Sequence, residues 1–263
     1  MGDRVGIVIP AYEADPTRLG AYINRLNADL SPAQIHVEVD RPTDAVLERL
    51  AETSASIRVS GKRRGKGSAI TAGFDQLDTD VLAFVDADGS TPPSSLVAVL
   101  EPVLTDDTDL AVGSRRHPDA TVPVHQSRVR RRLGDLFVAV ARRILPVSLY
   151  DYQCGAKAIN RETWDRVRPE LRSPGFAWDI ELICLVAASG SRLREVPILW
   201  EDRPGSTVPP VRAGFGFARA LLRGWHRGRI VRGSRLHQWI DRVAPRSTPL
   251  VERTSLHGQE PGQ

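Results

Sequence analysis

Short β-branched runs that stop at turn residues alternate with amphipathic stretches, and this alternation limits the chain's fold more than any other feature. Arg4–Pro10 (RVGIVIP) is apolar on both faces and is ended by proline, the pattern of a strand buried inside a parallel sheet. Pro16–Leu30 follows with Leu19, Ile23, Leu26 and Leu30 on one helical face. Further strands are predicted at Ile35–Val39, Ile57–Val59, Val81–Val85 and Leu110–Val112. The helices between them are expected at Asp44–Thr53, in Gly61–Gly73 and at Pro92–Leu104. Strand and helix taking turns at this spacing means βαβ units and a mainly parallel sheet, whose ligands lie beyond the carboxyl ends of the strands. The spacing also predicts a helix over Val129–Ile144, a strand at Ala156–Asn160, an apolar helix at Trp178–Ala188 and a last strand at Leu193–Trp200.

Beyond Gly205 the character changes. Arg212–Arg246 holds nine arginines against one acid, Asp241, with Phe215, Leu222, Trp225, Leu236, Trp239, Ile240 and Val243 spaced between them. We expect two short amphipathic helices here, divided by Gly224, Gly228 and Gly233, lying on a membrane surface. The domain division expected is therefore 1–211 for the catalytic domain, 212–246 for the basic interfacial helices and 247–263 for a polar, disordered tail. Charge is segregated in the same direction. Residues 1–112 carry 10 basic and 18 acidic groups and residues 113–263 carry 26 and 14, so the second half suits a polyanionic partner. The two cysteines, Cys154 and Cys184, have no metal or disulfide spacing, which points to a reducing compartment. No run reaches about 18 apolar residues and no signal-peptide pattern opens the sequence, so the expected location is the cytoplasm.

The chemistry concentrates at strand ends. Asp86-Ala-Asp88 follows Val81–Val85 directly, and two carboxylates one residue apart repel unless a hard divalent cation sits between them and a phosphate. On spacing alone, a turn in which Asp caps the next helix stands level with that reading. Ser90 could reach the same point, but a hydroxyl is a poor ligand. Ile9-Pro10-Ala-Tyr12-Glu13 ends the first strand. Glu38-Val-Asp40 ends the second, where an acid can accept bonds from a ribose or a base edge. Gly65-Lys66-Gly67-Ser68 opens a helix and offers backbone donors and a point charge to phosphate without the spacing of a P-loop. Asp179 and Glu181 share an apolar helix from which one of them faces the cleft, and Asp179 is assigned to it. Lys62-Arg63-Arg64 reads as a solvated run. His36, His117 and His125 read as surface or packing residues, and Cys154 as a small apolar filler.

In this order, together with Val112-Gly-Ser-Arg115, Asp151-Tyr-Gln-Cys-Gly-Ala-Lys157, Phe176-Ala-Trp-Asp-Ile-Glu-Leu182 and Glu195-Val-Pro-Ile-Leu-Trp200, these pieces resemble glycosyltransferase family 2 enzymes of the GT-A fold. Within it they look like polyprenyl-phosphate glycosyltransferases, more closely dolichyl-phosphate β-glucosyltransferases than mannose synthases, over roughly residues 4–208. The resemblance implies a Rossmann-like mixed sheet and inverting transfer of a glucose- or mannose-type hexose from a UDP- or GDP-sugar to a polyprenyl or dolichyl phosphate. It implies that Pro10, Tyr12, Glu13, Asp40, Lys66 and Asp86 hold the donor, and that Asp86 and Asp88 hold Mg²⁺ or Mn²⁺. Arg115, Arg131, Arg203 and Ser206 would hold the acceptor phosphate, and Asp151 would lie near the sugar. The enzyme would work peripherally on the inner face of the cell membrane. Mannose synthases have Gln near Ser90 and Lys shortly after Ser206, where this chain has Val208. The runner-up is a family 2 enzyme with a soluble or polymeric glycan acceptor. A nucleotidyltransferase would need a glycine-rich first loop in place of Pro10-Ala-Tyr-Glu, and a nucleic-acid-binding module would need aromatic platforms that are not visible.

Overall fold

The computed structural model describes residues 4–122, 135, 138–201, 210–243 and 248–257. Seven strands make one sheet: β1 Val5–Tyr12, β2 Gln34–Asp40, β3 Ser56–Ser60, β4 Val81–Val85, β5 Leu110–Ser114, β6 Ala156–Asn160 and β7 Leu193–Pro197. Their order is β3-β2-β1-β4-β6-β5-β7. All neighbours run parallel except β6, which lies antiparallel between β4 and β5. The parallel part of this sheet is what the alternation predicts, and its mixed, mainly parallel character is what the resemblance to GT-A enzymes implies.

Helices cover both faces because the strands are apolar on both. In β1, Ile7 and Ile9 pack with Leu19, Ile23 and Leu26 of α1 (Pro16–Leu30), while Val8 joins Phe74, Phe84, Trp164 and Trp178 on the opposite side. α1 starts where Asp15 accepts the Arg18 backbone N–H at 2.7 Å and Pro16 supplies a pre-set φ at the first helical position. α2 (Asp44–Ala51), α3 (Lys66–Phe74) and α4 (Pro93–Leu104) follow their strands in the same manner. Later helices span Arg161–Val167 and Trp178–Ala188. Of the helix expected over Val129–Ile144, residues 138–144 are helical; positions 123–134 and 136–137 lie outside the described residues. The last strand is shorter than expected, with Leu199 left to an isolated bridge to Thr121.

The carboxy-terminal part departs from expectation in two ways. A single helix, Pro210–Val231, runs through Gly224 and Gly228, and only Gly233, at φ 79°, breaks the chain before the helix Arg235–Val243. Gly224 lets the helix approach Trp178–Ala188: a Cβ there would stand 3.0 Å from Cys184 Sγ, whereas one at Gly228 would make ordinary contact, 3.6 Å from the Cys184 carbonyl oxygen. Neither glycine interrupts the helix. The tail expected to be disordered contains a helix, Leu250–His257. Leu250 is buried in the core and its backbone N–H donates to the Leu171 carbonyl at 2.8 Å. That anchoring escapes a compositional reading, since it rests on a buried Leu250 and a backbone hydrogen bond to a distant residue. Among the described residues no helix is long and apolar enough to cross a membrane.

Candidate functional site

The carboxyl ends of β1, β2 and β4 and the start of α3 bring Pro10, Tyr12, Glu13, Asp40, Lys66, Asp86 and Asp88 to one edge of the sheet. Parallel register sets Pro10 beside Glu38 and Tyr12 beside Asp40. Asp40 is already engaged: it accepts from Arg64 N at 2.6 Å, Arg64 Nε at 2.7 Å and Gly65 N at 3.2 Å. Arg64 Nη1 also lies 2.7 Å from Glu38 Oε2, inside the sheet. Arg64 is therefore a partly buried clamp between two strand-end acids, not part of a solvated run. Its partners come from a different strand, so a local reading of Lys62-Arg63-Arg64 has no way to find them. Arg63 does stay outside, with its guanidinium carbon 4.1 Å from the centre of the Tyr12 ring.

α3 begins at Lys66 because Gly65, at φ 95°, turns the chain into it and leaves no room for a side chain; a Cβ there would meet the Pro174 carbonyl oxygen at 2.6 Å. Ser68 N donates to that same carbonyl at 3.0 Å, so one of the helix-start donors expected for phosphate is occupied. The loop that delivers Pro174 is held by Glu181, which accepts from Arg172 N at 3.0 Å and Ser173 N at 2.7 Å. Of the two acids in that helix, Glu181 thus fixes a loop and Asp179 turns towards Lys66. Lys66 Nζ stands 2.9 Å from Asp86 Oδ1 and 3.5 Å from Asp179 Oδ2. Burial would push the Lys66 pKa down, but the charges of Asp179 and Asp86 prevail and hold it above its usual value. The converse holds for Asp86, where burial acts upwards and the Lys66 charge and hydrogen bond bring the carboxyl below its ordinary range.

Asp86 and Asp88 offer carboxyl oxygens two residues apart, just past the end of β4. Asp86 is pinned by its own N–H, which donates to the Gly155 carbonyl at 3.0 Å, and its side chain remains 41% exposed. Asp88 accepts from Ser90 N at 2.9 Å through Oδ1 and is exposed otherwise, so it shapes a local turn rather than capping α4, which starts behind Pro92 without a side-chain cap. Ser90 Oγ is buried with no hydrogen-bond partner among the described residues. Two carboxylates of this kind fit Mg²⁺ or Mn²⁺, which take one or two carboxylates and fill their remaining positions with phosphate and water. No cluster of three or more potential ligands occurs among the described residues.

A second polar pair lies one strand further on. Arg115, just past β5, donates from Nε to Asp151 Oδ2 at 2.7 Å and from Nη2 to Oδ1 at 3.1 Å. Asp151 Oδ1 also accepts from Gln153 N at 3.0 Å. Glu195 of β7 accepts the Tyr150 and Asp151 backbone N–H groups and so fixes the loop that carries the acid. Burial pushes the Asp151 pKa up, but the Arg115 charge and hydrogen bonds outweigh it and keep the carboxyl below its normal range. Burial sets the neighbouring Cys154 thiol in the other direction, up to about 12. Arg131, Arg203 and Ser206 lie outside the described residues. Lys157, quoted in the sequence only as the end of a motif, is the functional candidate that sequence reasoning missed: it is buried and contacts Asp179. The available signal was a lone lysine inside the apolar strand Ala156–Asn160, in a chain with only Lys62, Lys66 and Lys157.

The Glycosyl transferase family 2 model matches residues 6–167 of this chain. A dolichyl-phosphate β-glucosyltransferase of Saccharomyces cerevisiae is 31% identical over 61% of this chain and 52% of its own length. An undecaprenyl-phosphate mannosyltransferase of Micrococcus luteus is 30% identical, over 76% of this chain and 84% of its own. A Haloferax volcanii glycosyltransferase, AglD, matches 85% of this chain at 30% identity, yet the chain spans only 37% of that relative's length. Among solved structures, glucosyl-3-phosphoglycerate synthase of Mycobacterium tuberculosis, crystallised with Mn²⁺, UDP and phosphoglyceric acid, superposes with a TM-score of 0.66 at 16% identity, covering 85% of this chain and 79% of that one.

Proposed function

The chain belongs to glycosyl transferase family 2, and on that premise we propose that it moves a glucose- or mannose-type hexose from a UDP- or GDP-sugar to a polyprenyl or dolichyl phosphate, with inversion. The observation that carries this reading is the meeting of an acid pair suited to a divalent cation, Asp86 and Asp88, with a partly buried cation on each flank, Lys66 and Arg115. Bound by those two acids, Mg²⁺ or Mn²⁺ would supply Lewis-acid neutralisation of the departing diphosphate.

The chain's own residues account for the rest. Pro10, Tyr12, Glu13 and the Asp40–Arg64 clamp form the wall that receives the nucleoside, and Lys66 offers its ammonium to the diphosphate. Arg115 receives the acceptor's phosphate through Nη1, which has no hydrogen-bond partner among the described residues. Asp151 holds the guanidinium plane with both oxygens committed. Such an acid is a poor base, and none is needed, because a lipid phosphate is already an oxyanion at neutral pH. Arg131, Arg203 and Ser206 complete the phosphate site in this proposal. Relatives whose names specify dolichyl and undecaprenyl phosphate support the choice of acceptor.

A lipid acceptor keeps its tail in the bilayer, so the protein must come to the membrane. The helix Arg235–Val243 supports a peripheral site on the cytoplasmic face. It packs through His237 and Asp241 against Trp225, His226 and Arg227 of the preceding helix. Leu236, Trp239 and Val243 are left 63%, 61% and 67% exposed on another face, beside exposed Arg229, Arg232 and Arg235. A donor-by-acceptor screen tests the whole reading, using purified protein, UDP- and GDP-hexoses, short polyprenyl phosphates and soluble glycans, with and without EDTA. Cation-dependent transfer to polyprenyl phosphate is expected; transfer only to soluble glycans would refute the acceptor, and full activity in EDTA would refute the cation site.

A further inference from the structure

Lys157 sits in the middle of the sheet, on β6 opposite Phe84 of β4, with 1% of its side chain exposed. A buried ammonium persists only with partners. It donates to the Cys154 carbonyl at 2.8 Å and to Asp179 Oδ1 at 2.5 Å. Asp179 is equally buried, and its second oxygen is the one 3.5 Å from Lys66 Nζ. Lys66 Nζ is nearer to Asp86, at 2.9 Å. The four groups thus form a row of alternating charge, Lys157–Asp179–Lys66–Asp86, running from the interior to the cleft. The two ammonium groups lie 5.3 and 5.1 Å from the centre of the Phe84 ring.

The distances decide what the row does. Asp179 binds Lys157 tightly and Lys66 loosely, since 3.5 Å is beyond a good hydrogen bond. Without Lys157, Asp179 would hold an uncompensated buried charge with Lys66 as its sole neutraliser, and Lys66 would be drawn inward. Without Asp179, Lys66 would keep only its 2.9 Å contact to Asp86 and lose the second anchor that fixes its ammonium from the interior side. We propose that Lys157 is a positioning residue for the donor's diphosphate: by occupying one oxygen of Asp179 it keeps the Lys66 ammonium poised between the interior and the cleft. This rests on the reading of Lys66 as a diphosphate-binding group. If the pair only neutralised the core, an uncharged pair of similar shape would serve as well, as it does for many buried ion pairs.

That contrast supplies the test. Lys157→Met alone leaves a buried carboxylate and lowers the melting temperature. Lys157→Met combined with Asp179→Asn removes both charges and is expected to recover most of that loss. UDP binding by calorimetry should not recover: the double variant is expected to bind UDP at least about tenfold more weakly than wild type, both with Mn²⁺ and in EDTA, since one charge-assisted contact to phosphate is misplaced. The donor KM should rise with it while the acceptor KM stays unchanged. A second cycle does not depend on that variant. In a Lys66→Met background, Lys157→Met should weaken UDP binding no further, because its effect passes through Lys66. Wild-type UDP affinity in the double variant, or a further loss in the Lys66→Met background, would overturn the proposal. A wild-type protein that binds neither UDP nor GDP would overturn the donor reading along with it, and is distinguished by failing before any substitution is made.

Discussion

Gly155→Ala isolates the placement of one carboxylate from its charge. Gly155 opens the turn into β6, and its φ is not in the left-handed region, so alanine is compatible with the backbone. The obstacle is Asp86. A Cβ at this position would stand 1.9 Å from Asp86 Oδ2 and 2.3 Å from its Cγ, where contacts under 3.0 Å are essentially never found. The carboxylate must then retreat by about 1.1 Å, the difference between 3.0 and 1.9 Å. Because the obstructing atoms end a side chain, the stability cost should be that of an off-rotamer torsion, about 0.5–1.5 kcal/mol. Function should suffer more. A misplacement of about 1 Å in a catalytic constellation costs on the order of 100-fold, or about 2.7 kcal/mol in kcat/KM. Paired assays of thermal unfolding and sugar transfer across a Mn²⁺ titration read the two effects separately, with Asp86→Asn as the reference. A folded Gly155→Ala variant with wild-type turnover and Mn²⁺ dependence would refute the claim that Asp86 acts from its observed place.

Asp88→Asn should leave the fold intact and reduce turnover by orders of magnitude, measured by thermal unfolding beside initial rates; near-normal turnover would remove Asp88 from the site. Asp151→Asn leaves the partly buried Arg115 guanidinium without its carboxylate and should cost roughly 3 kcal/mol at pH 7. Because the folded-state pKa of Asp151 lies below its ordinary 3.8, this stability is present above that value and is lost as pH falls below it. Urea unfolding of both proteins should therefore show a gap that narrows from pH 5 to pH 3, and a constant gap would contradict the assignment. Burial raises the Cys154 and Cys184 thiols to about 12, so neither should react with a thiol reagent at pH 8 until the protein unfolds. Trp239→Asp should weaken flotation with anionic vesicles while leaving UDP affinity unchanged; equal flotation would move the membrane contact elsewhere.

The strand positions and the acids at their carboxyl ends were legible because both follow local patterns: apolar runs ended by proline, aspartate or glycine. Strand direction was not, since Ala156–Asn160 has the same composition whether it runs with its neighbours or against them. The glycines at 224 and 228 misled for a related reason. Seen locally both weaken a helix, whereas opposite Cys184 Gly224 allows a close approach that only the folded chain defines. Arg64 and Lys157 likewise acquire their meaning from Asp40, Glu38 and Asp179, 24, 26 and 22 residues away. The pairing of Arg115 with Asp151 joins two residues that the sequence had placed in different roles, one for the acceptor and one for the sugar.

The antiparallel strand between β4 and β5 also dictates an order of assembly. Residues 5–85 supply β1 to β4, which are mutual neighbours and can form a sheet as soon as they are synthesised. β5 then has no partner, because its neighbours are β6 and β7. The gap from Ser114 to Asn160 is 46 residues, which a ribosome adding about 5–20 residues per second fills in roughly 2–9 s. During that interval β4 presents an open edge and β5 two of them, all apolar. Arrival of β6 closes the β4 edge and one edge of β5 at once, leaving the other edge of β5 to β7, and brings Gly155 and Lys157 to the cleft in the same event. A nascent chain stalled before residue 156 thus lacks the strand that joins the two halves of the sheet and is at its most prone to aggregate.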